Sequence, residues 1–353
     1  MKTARLHQFA GVLFWIVAAL AGLPVPGLAQ QDLMPLSLSV SVTPNKLINV
    51  VAMSEGLYKK NGIDMELSIS PGSAETAFQR AGIRVPKEHI RAEAVDEDVV
   101  NTRSPYTIGG GVPTMNRAAK APGPAKTVIV LNTEDMTNWP IITSKSITRP
   151  DQLKGKRIGV SGLTNTSGFQ ARLFVKTMGW NLSDVTFVPG ISSVDALKSG
   201  RVEAMTGDEL TNFVLKSSTE YHALVDLNDW KVPMASNGVN ADRAWLQDPR
   251  NRELTRRFVK SMIEAIAVMK QNKEATYRAM ANYYGITDPK MQEHFYAPTY
   301  DLPRKPYPTL DGIKKTMELF DGPEMRQHKP EDFYDDSFVR ELDESGFIDS
   351  LYR

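Results

Sequence analysis

The sequence predicts an α/β fold, and three observations carry that prediction. A run of alternating residues, a helix-spaced run and a second alternating run follow one another near the N-terminus; the same order recurs from Lys156; and after about residue 232 the pattern changes to long helices. In the first series Leu36, Leu38, Val40 and Val42 alternate with Ser37, Ser39 and Ser41, the period of two of a strand with unlike faces. Thr43-Pro44 ends it, and because Thr caps helices and Pro is tolerated in the first turn, a helix is expected from there through Leu47, Ile48, Val51 and Ala52, with Gly56 closing it. Past the turn-like Lys59-Lys60-Asn61-Gly62, Ile63, Met65, Leu67 and Ile69 alternate with polar residues until Pro71-Gly72. Strand, helix and strand make a βαβ unit, the building block of a parallel sheet flanked by helices.

The second series begins with a short apolar strand, Arg157 to Val160, then the loop Ser161 to Gly168, then Phe169 to Met178 at helical spacing with Gly179 as the cap. Val185 to Val188 read as a strand, Val194 to Ser199 as a helix ended by Gly200, and Val202 to Met205 as another strand before Gly207-Asp208-Glu209. Between the two series lie Lys120-Ala121-Pro122-Gly123-Pro124, the β-rich Thr127 to Leu131, and Ile141-Ile142. A lobe boundary is expected near residues 132 to 140. Late in the chain, Asp248-Pro249 form an N-cap and N1 pair, and Phe258, Met262, Ile266 and Met269 recur at helical spacing.

Residues 1–29 carry Lys2 and Arg5, an apolar run from Phe9 to Leu23, and Pro24-Val25-Pro26-Gly27-Leu28-Ala29, the order of a cleaved secretion signal. A single membrane anchor is the rival reading, but the run is short for a span of ~20 apolar residues and no basic stop-transfer cluster follows. Cysteine is absent, which excludes disulfides, thiolate metal sites, a Cys nucleophile and a lipidated N-terminal cysteine. Of 42 basic residues two fall in the signal, which has no acid, leaving 40 against 41 acidic. Such a balance supplies no basic stripe for a phosphate backbone, so nucleic acid is not an expected partner. The remaining length suits two compact lobes of ~100 to 200 residues each.

Catalytic signatures are weak. Gly159-Val160-Ser161-Gly162 misses the spacing of a G-x-S-x-G elbow, and no His can be tied to Ser161. The five histidines are scattered without a helical metal pair, and His294 beside Glu293 reads as a solvated surface residue, so no metal and no cofactor is expected. Gly155-Lys156 lacks the rest of a P-loop, and Gly109-Gly110-Gly111 lacks dinucleotide spacing. The candidate ligand contacts lie at strand ends, where open α/β sheets bind small molecules. They are Thr43 and Asn45; Gly109, Gly110 and Gly111, which read equally as a plain tight turn; and Thr164, Asn165, Thr166 and Ser167, where capping explains one or two residues but not three hydroxyls. Asp208 and Glu209 join them, with an exposed helix start as the rival reading, and Trp139 stands near the boundary to stack on a flat ligand or to pack between lobes.

Four segments resemble a known family. Asp151-Gln152-Leu153-Lys154-Gly155-Lys156-Arg157-Ile158-Gly159-Val160 resembles the D-L-K-G-K-x-I-G-V signature of ABC-transporter solute-binding proteins, and Ala196 to Ala204 resembles their A-L-x-x-G-x-V-D-A segment. Gly56 to Ile63 is similar to the G-x-[FY]-x-x-x-G-[IL] before their second strand, and Pro330 to Asp335 to a C-terminal helix segment. The branch it is most similar to is the nitrate, sulfonate, taurine and thiamine-precursor binding group. Between Thr76 and Tyr106 the chain departs from that pattern, with Arg84 to His89 and the acidic Glu93 to Asp98 where another A-L-x-x-G-x-V-D-A belongs.

The resemblance implies a type II periplasmic-binding-protein-like fold, two lobes joined by two crossover strands, divided as residues 30–133, 134–232 and a return to the first lobe over 233–353. It implies a free periplasmic monomer, not an enzyme, that captures a sulfonate, carboxylate or pyrimidine between the lobes and delivers it to an inner-membrane ABC permease. An enzyme on the same bilobal fold and a receptor that presents its ligand to a membrane sensor are the alternatives.

Overall fold

Strand β1 (Met34–Ser41) buries Leu36, Leu38 and Val40 on one face and pairs in parallel with β2 (Ile63–Ser70) across helices α1 (Leu47–Ser54) and α2 (Leu57–Lys60). This computed structural model describes residues 33–70, 104–121, 123–208, 211, 215 and 218–353. The expected signal, most of the departing segment after Thr76, and Glu209 lie outside the described residues. The first helix does not run from Pro44: Pro44–Lys46 is a separate 3-10 turn, because the Thr43 hydroxyl donates to Asn45 Oδ1 at 2.8 Å instead of capping a helix N–H. Gly56, at φ 65°, separates α1 from α2 in the left-handed conformation that a side chain would strain.

After β3 (Tyr106–Gly110), α3 (Gly111–Ala118) and β4 (Thr127–Asn132), the chain crosses to a second sheet. There β5 (Pro140–Ser144), β6 (Arg157–Gly159), α4 (Thr166–Thr177), β7 (Thr186–Val188), α5 (Asp195–Lys198), β8 (Ala204–Thr206) and β9 (Tyr221–Asp226) follow. Their strand order is β7-β6-β8-β5-β9, with β6 parallel to β7 and β8, and β5 antiparallel to β8 and β9. The chain then returns as β10 (Asn237–Asp242), which enters between β3 and β4 antiparallel to both. Each lobe therefore receives its antiparallel strand directly from a crossover, and that exchange makes the two-lobed periplasmic-binding-protein-like architecture.

The long helices cover the first lobe. In α6 (Pro249–Gln271) the Asp248 side chain accepts from Arg250 N–H at 2.8 Å, as its N-cap position demands, and Phe258, Met262, Ile266 and Met269 are buried. Phe258 stacks on Tyr106 of β3, with ring centroids 4.8 Å apart, and the Tyr106 hydroxyl bonds Thr255 Oγ1 at 2.8 Å. Each such side chain contributes ~1.5–3 kcal/mol by leaving water. Helices α7 (Lys273–Ala279), α8 (Pro289–Tyr296), α9 (Leu310–Leu319) and α10 (Ser337–Glu344) complete this side. No helix among the described residues is long and apolar enough to cross a membrane.

Two crossover segments, 133–139 and 227–236, join the lobes and run antiparallel. Thr137 N–H donates to Val232 O at 3.0 Å, Met234 N–H to Asp135 O at 2.8 Å, and Thr133 N–H to Asn237 O at 2.8 Å. Beside them α3 and α4 pack across the lobe boundary, where Val112 and Met115 meet Phe169 and Leu173 in one apolar cluster with Met234 and Ile313. Gly312 lets α9 reach this place: a Cβ there would lie 2.4 Å from the Met234 carbonyl carbon.

Candidate functional site

The first-lobe side of the cleft is built from the carboxyl ends of β1 and β3. Thr43 and Asn45 are half-buried there and hydrogen-bonded to each other. Lys46, which sequence reasoning passed over, is nearly buried and donates from Nζ to Ile108 O at 2.6 Å, in the middle of β3. A lysine at the start of a helix opposes the helix dipole, and that misplacement is the signal that would have singled it out. A Cβ on Gly109 would lie 3.8 Å from the same Nζ.

The glycine run is not a tight turn. Gly109 and Gly110 end β3, Gly111 opens α3, and none has a positive φ. The glycines answer to close approach instead: a Cβ on Gly111 would lie 2.9 Å from Ala235 O, and one on Gly110 would lie 2.9 Å from Thr166 Oγ1 in the opposite lobe. The helix starts two residues before Pro113 because the Gly111 and Val112 N–H groups bond Ser236 O and Ala235 O in the second crossover.

Across the cleft, helix α4 starts at Thr166, three residues earlier than its apolar pattern suggests. Asn165 is its N-cap and accepts from Gly168 N–H at 3.2 Å. Ser167 is buried; its hydroxyl accepts from Ser161 N–H at 2.9 Å and meets Thr206 Oγ1 at 2.5 Å, tying the end of β6 to the end of β8. Thr164 is exposed and its carbonyl accepts from Asn116 Nδ2 at 3.1 Å, a bond between lobes. Among the described residues the hydroxyls of Thr164 and Thr166 have no protein partner. Asp208 is half-buried, and its carboxylate accepts from Thr211 N–H at 2.7 Å as a helix start would. Trp139 stands half-buried on the first crossover, its carbonyl accepting from Leu227 N–H at 3.3 Å.

At the hinge end a cavity of about 460 Å³ is lined by both crossovers, through Glu134, Asp135, Asn138 and Lys231 among others, and by His294 and Asp301 of the first lobe. Burial pushes the Glu134 carboxyl above the ordinary glutamate value; hydrogen bonds from Asn237 Nδ2 at 2.5 Å and Ser236 Oγ at 3.1 Å, together with the Lys46 ammonium, oppose that rise. Asp135 is pushed up too, by burial first and then by the facing Asp301 carboxylate. Lys231 has φ 50°, the only non-glycine residue in the left-handed region among those described, and its ammonium donates to Asn228 Oδ1 at 3.1 Å. His294 is not the solvated residue its neighbours in sequence suggest, because α8 turns it half-buried toward this cavity. None of the hinge acids stands in a motif, so neither pattern nor spacing marks them. Among the described residues no three His, Cys, Asp or Glu side chains gather as a metal site.

The two places differ in character. The hinge cavity carries carboxylates, which accept hydrogen bonds, with the Lys46 ammonium near enough to Glu134 to act on it, and the strand ends across from it carry the Thr166 hydroxyl and the N-terminus of α4, which donate them.

Residues 78–276, more than half of the chain, match the family model described as NMT1/THI5 like. No curated protein sequence matches the chain. Among solved structures, the chain is similar to a putative periplasmic sulfonate-binding protein, SsuA, of an ABC transporter from Methylobacillus flagellatus, with a TM-score of 0.60 and 16% identity over 90% of this chain and 96% of that one. It is similar to a Candida albicans protein with the generic periplasmic binding protein fold, with a TM-score of 0.57 and 14% identity over 88% and 95% of the two chains. The desulfurization enzyme DSZB is similar as well, with a TM-score of 0.59 and 17% identity over 88% and 99%.

Proposed function

This chain belongs to the NMT1/THI5-like family, and from that premise we propose that it is an extracytoplasmic solute-binding protein whose lobes close on a small organic molecule and deliver it to an ABC permease. The single observation that carries the reading is the polar cavity at the hinge, bounded by both crossovers, where any rotation of the lobes changes the space available. In this reading the lobes divide as 30–133 with 233–353, and 134–232, and the protein works as a monomer in the periplasm.

The ligand class follows from the two characters of the cleft. Glu134, Asp135 and Asp301 oppose a sulfonate or carboxylate at the hinge end and suit N–H donors or an amine. The Thr166 hydroxyl and the N-terminus of α4 suit an acceptor or anionic group at the strand ends, while the Lys46 ammonium offsets part of the Glu134 charge. An amino-substituted heterocycle or an amine-bearing zwitterion satisfies both; inorganic nitrate satisfies neither fully.

Native mass spectrometry of retained small molecules, with thermal shift against taurine, alkanesulfonates, dicarboxylates and aminopyrimidines, tests the proposal. A saturable rise in melting temperature with amine-bearing compounds is expected. No retained molecule and no shift across the panel would sink the solute-binding reading. A second reading, an enzyme on the same fold, rests on the raised Glu134 and Asp135 carboxyls beside His294, which suit general acid and base work. It has no thiol nucleophile to draw on. Appearance of a product from a bound compound would favour it.

A further inference from the structure

A second groove, which shares no lining residue with the hinge cavity, lies beside the α3–α4 contact. It has a volume of about 540 Å³ and is lined from the first lobe by Asn116 and Lys120 at the end of α3 and by the last turn of α9 with residues 320–322, 324 and 325 beyond it, and from the second lobe by Thr164, Arg172 and Lys176. Arg172 and Lys176 stand one helical turn apart on α4 and so share a face. Three carboxylates line the groove as well: Glu318 pairs with Lys315 at 2.5 Å, Asp321 holds Arg326 through both oxygens at 2.6 and 2.8 Å, and Glu324 pairs with no cation among the described residues.

The cations are not so committed. Among the described residues, no hydrogen bond or ion pair engages the side chains of Lys120, Arg172 or Lys176. The Arg172 guanidinium lies 4.9 Å from the centroid of the Phe320 ring, and its burial disfavours the charged form with no acceptor to offset it. A half-buried, planar fork of five N–H donors stacked on a ring is preorganised for a tetrahedral oxyanion, which takes two of its donors at once.

We propose that this groove binds a small free oxyanion of the phosphate class, held by the Arg172 fork with Lys176 from the second lobe and Lys120 from the first, so that the bound anion fastens the lobes together beside the α3–α4 contact. The site is independent of the solute reading, because it uses none of the strand-end or hinge residues except the rim residue Thr164.

Titration with inorganic phosphate, followed by thermal unfolding and calorimetry at constant ionic strength, tests it. The wild type is expected to show a saturable rise in melting temperature that sodium chloride does not reproduce. Arg172→Gln should weaken the apparent phosphate affinity at least tenfold, and so should the exposed pair Lys120→Gln with Lys176→Gln, which keeps the test available if the loss of the Phe320 stack unfolds the first variant. Lys59→Gln, an exposed lysine on α2, should leave the affinity unchanged. No saturable effect, an equal effect of chloride, or undiminished affinity in both variants overturns the proposal. So does sedimentation with phosphatidylglycerol vesicles in the absence of any effect of free phosphate, which would assign the cations to a lipid headgroup.

Discussion

Replacing Gly312 by alanine sets two effects of opposite sign against each other. Gly312 lies in the first turn of α9, where alanine should favour the helix by at most ~1 kcal/mol. The new Cβ, however, would lie 2.4 Å from the Met234 carbonyl carbon, 2.5 Å from Ala235 N and 2.7 Å from Thr309 Cγ2. Carbon contacts are comfortable at ~3.5–4.0 Å, so helix and crossover must part by about 1 Å. Overpacking of a filled interior costs ~1–3 kcal/mol. The upper end applies here because two of the three atoms are backbone of the crossover and cannot swing aside as a side chain would. A net loss of ~2 kcal/mol is expected, read as a lower urea midpoint at unchanged slope. Gly322→Ala is the control: its nearest neighbour is a flexible Glu324 oxygen at 3.4 Å, and its effect should stay within ~0.5 kcal/mol. A Gly312→Ala variant as stable as the wild type would refute the reasoning that α9 is pressed against the second crossover.

Four more outcomes can be checked. Asn165→Ala removes the N-cap of α4 and should cost ~1 kcal/mol in denaturant unfolding. Lys46→Met leaves the Ile108 carbonyl without its donor and takes away an ammonium that favours the charged form of Glu134; it should cost ~1–3 kcal/mol and raise the Glu134 carboxyl further, a coupling that a double-mutant cycle with Glu134→Gln measures. Because folding raises the Glu134 proton affinity, the folded chain keeps that proton to higher pH than the unfolded chain. Its contribution to stability therefore falls as pH rises from the ordinary glutamate value through the raised one, and Glu134→Gln should flatten that part of the melting profile. Glu253 behaves oppositely: Arg256 and then Arg257 hold it down to about 2, so its contribution is complete above 4.5 and lost as pH falls toward 2. Its side chain is about a third exposed, so Glu253→Gln should remove less than ~1 kcal/mol, visible only on that acid limb.

Local pattern foretold most elements because burial repeats with the geometry of each. Leu36, Leu38 and Val40 alternate and form a strand with one buried face; Phe258, Met262, Ile266 and Met269 follow the helical period and line the buried side of α6. Asp248-Pro249 fixed a helix start for the same reason, since cap and ring act on neighbouring backbone groups alone. Where the pattern erred, a distant contact had intervened. Gly109 to Gly111 resemble a turn in one dimension, yet Ala235 O and Thr166 Oγ1, far along the chain, are what leave no room for a Cβ. Ser167 looks like a free hydroxyl until Thr206, thirty-nine residues on, is brought beside it.

By itself, then, the sequence determined the α/β class, the recurrence of its βαβ order and the places where strands end in polar loops, since each depends on residues within a turn or two of one another. Only the tertiary structure decided that Glu134, Asp135 and Asp301 meet in one cavity, and that Lys120, Arg172 and Lys176 share another. Charge and hydrogen bonding in a site depend on which groups the crossovers and packed helices bring together, and no local period encodes that.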